Sequence, residues 1–213
     1  MTIYTAIFGN YEQLKEPVIV TPGWRYICFT DQHFESDIWE TINVPTAADP
    51  RREARKYKAL FHNYIDDKYS MWLDGSFRIT VDLTRFWNQH YGLPFSAPTH
   101  PTRHCVYKEI SSVLTNGRGG AAKIIEQGEH YRSIGVPANG GVITSGILLR
   151  ERTRSCIDLC EEWWEETNQW SLRDQVSFCK VSMGKPFTTF KFNYTNNREL
   201  IYIQHKKKST FAV

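Results

Sequence analysis

Short apolar runs alternate with longer segments of helical periodicity along most of the chain. The runs are rich in β-branched and aromatic residues and end at Gly, Asp or Pro, which predicts buried strands over residues 3–8, 26–30, 39–44, 69–73, 142–149, 188–192 and 200–203. Between them, apolar side chains recur every three or four residues, which predicts helices over residues 50–65, 103–114, 121–131, 155–164 and 173–183. Strands that alternate with helices over short connections indicate an α/β sandwich around a mostly parallel, twisted sheet.

The chain has the length of one domain. Its 213 residues can bury a full core without disulfides or metal, and they contain no internal repeat, low-complexity stretch or linker. We therefore expect a single domain over residues 1–213. No apolar run approaches the roughly 18 residues that a membrane helix needs, so no membrane segment is predicted.

The net charge of +3 is local. It equals the contribution of three consecutive lysines near the C-terminus, Lys206 to Lys208, and the rest of the chain is balanced. A protein that coats nucleic acid through a whole face needs distributed charge, so nucleic acid is possible as a partner only at this run and is not favoured. The five cysteines are scattered and odd in number, which indicates a reducing, cytoplasmic compartment, although a domain from a longer secretory-pathway protein would look the same.

Several common catalytic motifs are absent. The sequence has no phosphate loop ending in Lys-Ser/Thr, no GxGxxG after a strand, no GxSxG and no CxxC, which removes the main support for kinases, Rossmann dehydrogenases and α/β-hydrolases. A zinc site from His100, His104 and Cys105 lacks a second ligand pair at finger spacing.

Asp74 follows a predicted buried strand in the segment WLDGS. Ligands of open α/β sheets bind beyond the carboxyl ends of the strands, where a carboxylate can reach a hard divalent cation. Gly75 would let the backbone approach a ligand closely. The alternative is an ordinary strand-end turn, in which Asp-Gly is common.

The helix that begins at Pro50 carries a basic face. Four basic or near-basic residues follow one another at spacings of four, three and four, so they share one side of the helix, and this side lies away from the apolar stripe. They are Arg51, Arg55, Lys58 and His62. Such a row suits phosphate oxygens, although most charged helix faces are only solvated.

Three further segments are candidates for ligand contact. Ser145 and Gly146 are small residues inside a predicted strand, where a ligand or another backbone can approach closely. Asp174 and Gln175 open a predicted helix, where Asp174 could complement the helix dipole or bind sugar hydroxyls. His205 and Lys206 could bind Mn²⁺ and a diphosphate, or belong to a frayed basic end.

Seven ordered motifs together resemble a known family: YTAIFGNY, FTD, DPRREARKYK, WLDGS, HPxRxCVYKE, SGILLR and RDQVSF. They are similar to the glycosyltransferase-like family of plant mucilage and pollen turgor-regulation proteins, over residues 3 to 205. The resemblance implies a GT-A-like three-layer sandwich that binds a nucleotide sugar.

The resemblance also implies roles for single residues. The first strand and turn would hold the nucleoside through Thr5, Ala6, Phe8, Gly9 and Tyr11, with Asp31 near the base or ribose. Arg55 and Lys58 would lie towards the diphosphate or sugar, and Asp174 and Gln175 would be the Asp-Gln pair beside the transferred sugar. Asp74 and His205 would be metal ligands, although Ser76 replaces the second carboxylate of the Asp-x-Asp metal motif. His100, Arg103, Tyr107 and Glu109 would border the acceptor.

The implied function is transfer of a hexose or pentose from a nucleotide diphosphate donor, expected to be a UDP-sugar, to a glycan or other hydroxyl acceptor, assisted by Mn²⁺ or Mg²⁺. An inverting reaction needs a base, for which Asp174 and Glu109 are the candidates, whereas a retaining one does not. Two alternatives stay open: a non-catalytic carbohydrate-binding module, which the missing second Asp favours, and a transferase acting on nucleic acid.

Overall fold

A computed structural model describes residues 1–117 and 120–203 of this chain. The described residues form nine strands and six α-helices. The strands are β1 (Thr2–Ile7), β2 (Arg25–Thr30), β3 (Glu40–Asn43), β4 (Tyr69–Leu73), β5 (Phe77–Ile79), β6 (Phe95–Pro98), β7 (Ile147–Glu151), β8 (Thr188–Phe190) and β9 (Leu200–Tyr202). The helices are α1 (Pro50–Ala59), α2 (Thr84–His90), α3 (Val106–Thr115), α4 (Ala121–Ser133), α5 (Arg154–Gln169) and α6 (Asp174–Val181).

Seven strands form one sheet in the order β3-β2-β1-β4-β7-β6-β8. All neighbours in it are parallel except that β7 runs antiparallel to both β4 and β6. The prediction of a mostly parallel α/β sheet is therefore confirmed. Strands β5 and β9 pair antiparallel in a separate two-stranded sheet.

The sheet is covered on both faces, which makes three layers. Along β1, Tyr4 and Ala6 face one core cluster, which also contains residues of α1, α5 and α6. Ile3 and Ile7 face another, which contains residues of α2 and of the small sheet. Because both faces are buried, β1 is apolar or uncharged at every position, as is typical of central parallel strands. A third cluster lies between α3, α4 and α6.

The first helix begins where the sequence predicts, because the Asp49 side chain accepts a hydrogen bond from the Arg52 N–H at 3.0 Å and Pro50 follows. It ends earlier than predicted. Leu60 leaves helical geometry, and a short 3₁₀ turn, Phe61–Asn63, completes the predicted span. The prediction of one helix over residues 50–65 was therefore wrong in extent.

The predicted strand over residues 142–149 is also shorter, since β7 begins at Ile147. Residues 142–146 form a loop with one isolated bridge, between Ile143 and Thr99. In this loop the Gly146 carbonyl accepts from the Asp74 N–H at 2.9 Å, and the Gly141 backbone has φ +87°. Three elements were not predicted: β5, β6 and α2. Both strands have only three or four residues, and α2 has only seven.

The topology brings several chain segments to one edge of the sheet. The parallel strands β1, β2 and β4 end on the same side, where Gly9, Asp31 and Asp74 follow them. Because β7 is antiparallel and Leu73 pairs with Ile147, the residues that precede β7 lie at this same edge. Among the described residues, no helix is long and apolar enough to cross a bilayer.

Candidate functional site

The Asp74 carboxylate is fixed by two donors immediately after β4. Its Oδ1 accepts from the Trp72 indole N–H at 2.8 Å and lies 2.9 Å from the Lys58 ammonium. The Asp74 side chain is still 40% exposed, so the carboxylate can also meet a ligand. Asp74 thus lies directly after the carboxyl end of β4, where the sequence places it, and its role as a metal ligand stays a prediction.

Lys58 lies in the last turn of α1 and is buried between two carboxylates. Its Nζ is 3.1 Å from Asp174 Oδ2, in addition to its contact with Asp74, and it donates to Ser145 Oγ at 3.4 Å. The ammonium also lies 5.4 Å from the centre of the Trp72 ring. Lys58 is therefore not part of a solvated helix face.

Asp174 opens α6 with its carboxylate buried. Oδ2 accepts from Ser145 Oγ at 2.8 Å, and Oδ1 accepts from the Gln175 backbone N–H at 3.0 Å. Burial by itself raises the pKa of this carboxyl, but the charges of Lys58, Arg55 and Arg173 lower the pKa well below its ordinary range. Asp174 is therefore an ionised hydrogen-bond acceptor at neutral pH.

Gly146 lies where the packing at this edge is tight. A Cβ at this position would lie 3.0 Å from a Phe77 ring carbon and 3.3 Å from Asp74 Oδ2. The small residues Ser145 and Gly146 therefore let other groups pack closely against this segment, as the sequence predicts. One of these groups is the Asp74 carboxylate.

Two guanidinium groups, those of Arg55 and Arg173, are close enough to act on the Asp174 charge, and Arg51 lies near both of them. Burial together with the charges of Arg55 and Arg173 lowers the pKa of Arg51, so these three cations act on one another. Arg55 donates to the Arg51 carbonyl at 3.0 Å. An anion at this position would relieve the repulsion, which suits phosphate oxygens.

His62 does not belong to the basic face. Its Nε2 lies 3.2 Å from Glu161 Oε1 on α5, because the break at Leu60 turns the chain after α1. The prediction that four basic residues share one face is wrong for His62.

Glu109 is fully buried on α3, and both of its oxygens bind guanidinium groups. Arg103 Nε contacts Oε2, and Arg173 Nη2 lies 3.3 Å from Oε1. The geometry therefore gives Glu109 a part in positioning Arg173, and its catalytic role stays a prediction. Arg173 in turn donates to Gln175 Oε1 at 3.0 Å, and the Gln175 amide donates to the Ile143 carbonyl at 3.0 Å.

The predicted nucleoside-binding residues divide into two groups. The side chains of Thr5, Ala6 and Phe8 are buried at the end of β1, and Phe8 packs on the Tyr57 ring. A nucleoside at this edge would meet the backbone of these three residues rather than their side chains, and their role in holding it stays a prediction.

The turn that follows β1 is better placed for a ligand. The Gly9 N–H donates to both oxygens of Asp31, at 3.0 and 3.2 Å, which joins the ends of β1 and β2. Tyr11 is 60% exposed and is close enough to interact electrostatically with Arg51. Gly9, Tyr11 and Asp31 thus stay candidates for the nucleoside.

The described residues supply few ligands for a metal. They contain no group of three His, Cys, Asp or Glu side chains that could hold an ion, and His100, His104 and Cys105 do not form one. Ser76 is buried, and its carbonyl accepts from the Ile203 N–H at 2.9 Å. The predicted ligand His205, and Lys206 with its neighbours, lie outside the described residues.

An Mg²⁺- or Mn²⁺-type ion can nevertheless be bound by one carboxylate together with substrate phosphates and waters. The exposed part of Asp74 fits such a shared site, but not a site built from protein side chains alone. Two surface depressions, of about 590 and 280 Å³, are lined by other residues and do not include the charged network.

Sequence reasoning missed three members of the network: Trp72, Arg173 and Arg150. Trp72 and Arg173 stand inside the motifs WLDGS and RDQVSF, so their position next to Asp74 and Asp174 was a usable signal. Arg150 is fully buried and donates to the Lys58 carbonyl at 2.6 Å, which fixes the end of α1. Arg150 also closes the motif SGILLR, but the motif gave no indication of its partner, which lies 92 residues away in the chain.

Comparison with known proteins gives consistent matches. A sequence model of the TOD1/MUCI70 glycosyltransferase-like domain matches residues 25–206, which leaves β1 outside the match. A protein of Arabidopsis thaliana described as a probable hexosyltransferase, MUCI70, is 25% identical over 85% of this chain, but the chain spans only 37% of that relative's length.

Among solved structures, the galactosyltransferase LgtC, in complex with donor and acceptor sugar analogues, superposes with a TM-score of 0.50 and 13% identity. The match covers 89% of this chain and 73% of that chain. This likeness shows that the fold is of the GT-A type.

Proposed function

Because this chain belongs to the TOD1/MUCI70 glycosyltransferase-like domain family, we propose that it transfers a sugar, a hexose in the first instance, from a UDP-sugar to a hydroxyl group of a glycan. The observation that carries the proposal is the network of Lys58, Asp74, Asp174 and Ser145 at the carboxyl edge of the sheet. Ligands of open α/β sheets bind at this edge. The hexosyltransferase description of the Arabidopsis relative supports the choice of sugar.

The proposed step breaks the bond between the anomeric carbon of the sugar and the diphosphate oxygen, which keeps the electron pair. The acceptor oxygen forms the new bond to that carbon and gives up its proton to a base. Negative charge grows on the departing diphosphate, and Arg51, Arg55 and Arg173 are the cations placed to stabilise it.

Asp174 is the carboxylate that we propose for contact with the sugar. Its lowered pKa makes it a weak base but a good acceptor for sugar hydroxyls, with the Gln175 amide beside it. An inverting reaction requires a base and a retaining one does not, so both stereochemical outcomes remain compatible with the proposal.

A divalent cation, Mn²⁺ or Mg²⁺, is part of the proposal. Asp74 would hold it together with the donor diphosphate, and His205 is the second predicted ligand. When bound, such an ion neutralises charge on the leaving diphosphate. Asp74 itself keeps its orientation through the Trp72 indole N–H.

The test is a donor screen that measures nucleotide released from UDP-, GDP- and CMP-sugars, with and without Mn²⁺. We expect release from a UDP-sugar and a loss of about 100-fold or more in Asp74→Asn. Asp66→Asn is the matched control, because Asp66 is fully exposed and precedes the opposite end of β4. If the folded protein neither binds nor hydrolyses any of these donors, the proposal is wrong.

The second candidate is a non-catalytic carbohydrate-binding module. Ser76 stands where the metal motif has its second carboxylate, and its side chain is buried, which favours this alternative. Glycan binding that is indifferent to both nucleotide and Mn²⁺, without nucleotide release, would select the module.

A further inference from the structure

Lys58 and a divalent cation would compete for one carboxylate. Asp74 is the cation ligand in the proposed function, on which this inference rests, yet its Oδ1 already lies 2.9 Å from the Lys58 ammonium. The Lys58 ammonium therefore already neutralises the negative charge of Asp74 that would otherwise attract an ion.

This lysine is unable to move aside easily. Its Nζ contacts Asp74, Asp174 and Ser145, so all three ammonium protons have acceptors, and the side chain is only 9% exposed. Its backbone carbonyl is held by the buried Arg150. The ammonium is thus a fixed charge beside Asp74.

Two consequences follow for an ion that approaches Asp74. The fixed ammonium repels it, and the described residues offer no set of three side chains that would compensate for the repulsion. A nucleoside diphosphate brings additional negative charge and phosphate oxygens to the same edge, and these can complete the coordination of the ion.

We infer that Lys58 makes cation binding at Asp74 conditional on the donor: the site excludes the ion alone and accepts it with a nucleoside diphosphate. The lysine is a positioning and specificity-determining residue in this scheme. It prevents the edge from holding an ion without a donor, and it couples the two binding events.

The experiment titrates Mn²⁺ alone, without nucleotide, into the wild-type protein and into Lys58→Met, using isothermal calorimetry and the electron paramagnetic resonance of free Mn²⁺. We expect very weak binding to the wild type and at least about tenfold tighter binding to Lys58→Met. Lys58→Arg keeps the charge and is expected to exclude the ion as the wild type does. The double variant Lys58→Met with Asp74→Asn is expected to lose the gain.

A second arm adds saturating UDP. In the wild type UDP is expected to tighten Mn²⁺ binding by about tenfold or more, and in Lys58→Met to tighten it much less. Mn²⁺ also binds free UDP in solution. A titration of Mn²⁺ into UDP without protein measures this background, which is subtracted. Lys58→Gln replaces Lys58→Met if circular dichroism shows that the methionine variant does not fold.

The inference is overturned if the wild type binds Mn²⁺ alone as tightly as Lys58→Met, or if UDP leaves the Mn²⁺ affinity of the wild type unchanged while itself binding. A gain that persists in the double variant would also overturn it, because the ion would then bind elsewhere. The first arm contains no nucleotide, so a failure of the proposed donor chemistry leaves its outcome interpretable.

Discussion

His100 illustrates how a residue that could serve chemistry holds the backbone instead. Its Nδ1 accepts hydrogen bonds from the backbone N–H groups of Thr102 and Arg103, at 3.2 and 3.0 Å. Burial, together with the charge of Arg103, lowers the pKa of this histidine. The imidazole therefore stays neutral in the folded protein over a pH range in which it is protonated in the unfolded chain.

The sign of the resulting pH dependence follows from this difference. A histidine whose pKa is lowered on folding stabilises the protein above its unfolded pKa of about 6.5, and the contribution is lost as the pH falls towards the lowered value. We expect His100→Asn, which keeps an acceptor oxygen but cannot be protonated, to flatten the fall in unfolding free energy between about pH 8 and about pH 5. Urea unfolding at several pH values measures it.

His33→Asn, which makes the same substitution at an exposed histidine, is the control for the substitution itself. Equal slopes for the wild type and His100→Asn would show that His100 does not titrate differently in the two states.

At the scale of secondary-structure elements, the turn after β1 packs directly on the start of α1. Gly9 has φ +64°, and a Cβ built on it would lie only 2.7 Å from Cβ and Cγ of Pro50. The same helix carries Lys58 at its other end, so this contact helps to set where the ammonium lies. The packing of this turn on the start of α1 thus helps to position the Lys58 ammonium, although the contact itself lies outside the charged network.

A pair of glycine substitutions separates backbone strain from this packing. Gly23 also has positive φ, +75°, but a Cβ there would meet no atom within 4 Å. We expect Gly23→Ala to cost about 1–2 kcal/mol of unfolding free energy from the left-handed conformation alone. Gly9→Ala should cost about 1–3 kcal/mol more, because the overlap with Pro50 must be relieved. Equal losses by urea unfolding would refute the packing argument.

At the scale of the whole molecule, a buried polar network joins α4, α5 and α6. The Tyr131 hydroxyl accepts from the Gln127 amide and donates to Glu166 Oε1, both at 2.9 Å. Glu166 also pairs with Lys180 at 2.8 Å, on the helix that begins at Asp174. Hydrogen bonds and an ion pair therefore connect these three helices. Removing one member of such a buried network leaves its partners unsatisfied and lowers the stability of the protein.

Tyr131→Phe removes the central hydroxyl and leaves a buried carboxylate and a buried amide short of one partner each. We expect a loss of about 1–3 kcal/mol in unfolding free energy. Tyr107→Phe is the matched comparison, since its hydroxyl makes one bond, to the Val136 carbonyl at 2.8 Å, in a half-buried position, and should cost about 1 kcal/mol. A smaller loss for Tyr131→Phe than for Tyr107→Phe would contradict the role of the network.

The fold class and most strands could be predicted from the sequence, because buried parallel strands need apolar side chains on both faces and their ends need turn residues. The sequence was less informative where local signals conflict. The run after Gly141 is apolar enough for a strand, but its backbone bonds go to Pro98, to His100 and to Asp74 without a regular ladder, so the strand starts only at Ile147. Strand β6 ends in Pro98 and lies between two other strands, a placement that no local pattern indicates.

For the site, the sequence determined which chemical groups are available: the carboxylate after β4, the basic helix and the Asp-Gln pair. Which of these groups meet depends on the packing of the folded chain. Lys58 and Asp174 are 116 residues apart in the chain and 3.1 Å apart in space. Helical periodicity places Lys58 and His62 on one basic face, yet Lys58 is buried between carboxylates and His62 faces α5. The physical reason is that a charge pattern fixes a direction around a helix axis, whereas the partner in that direction depends on how distant segments pack.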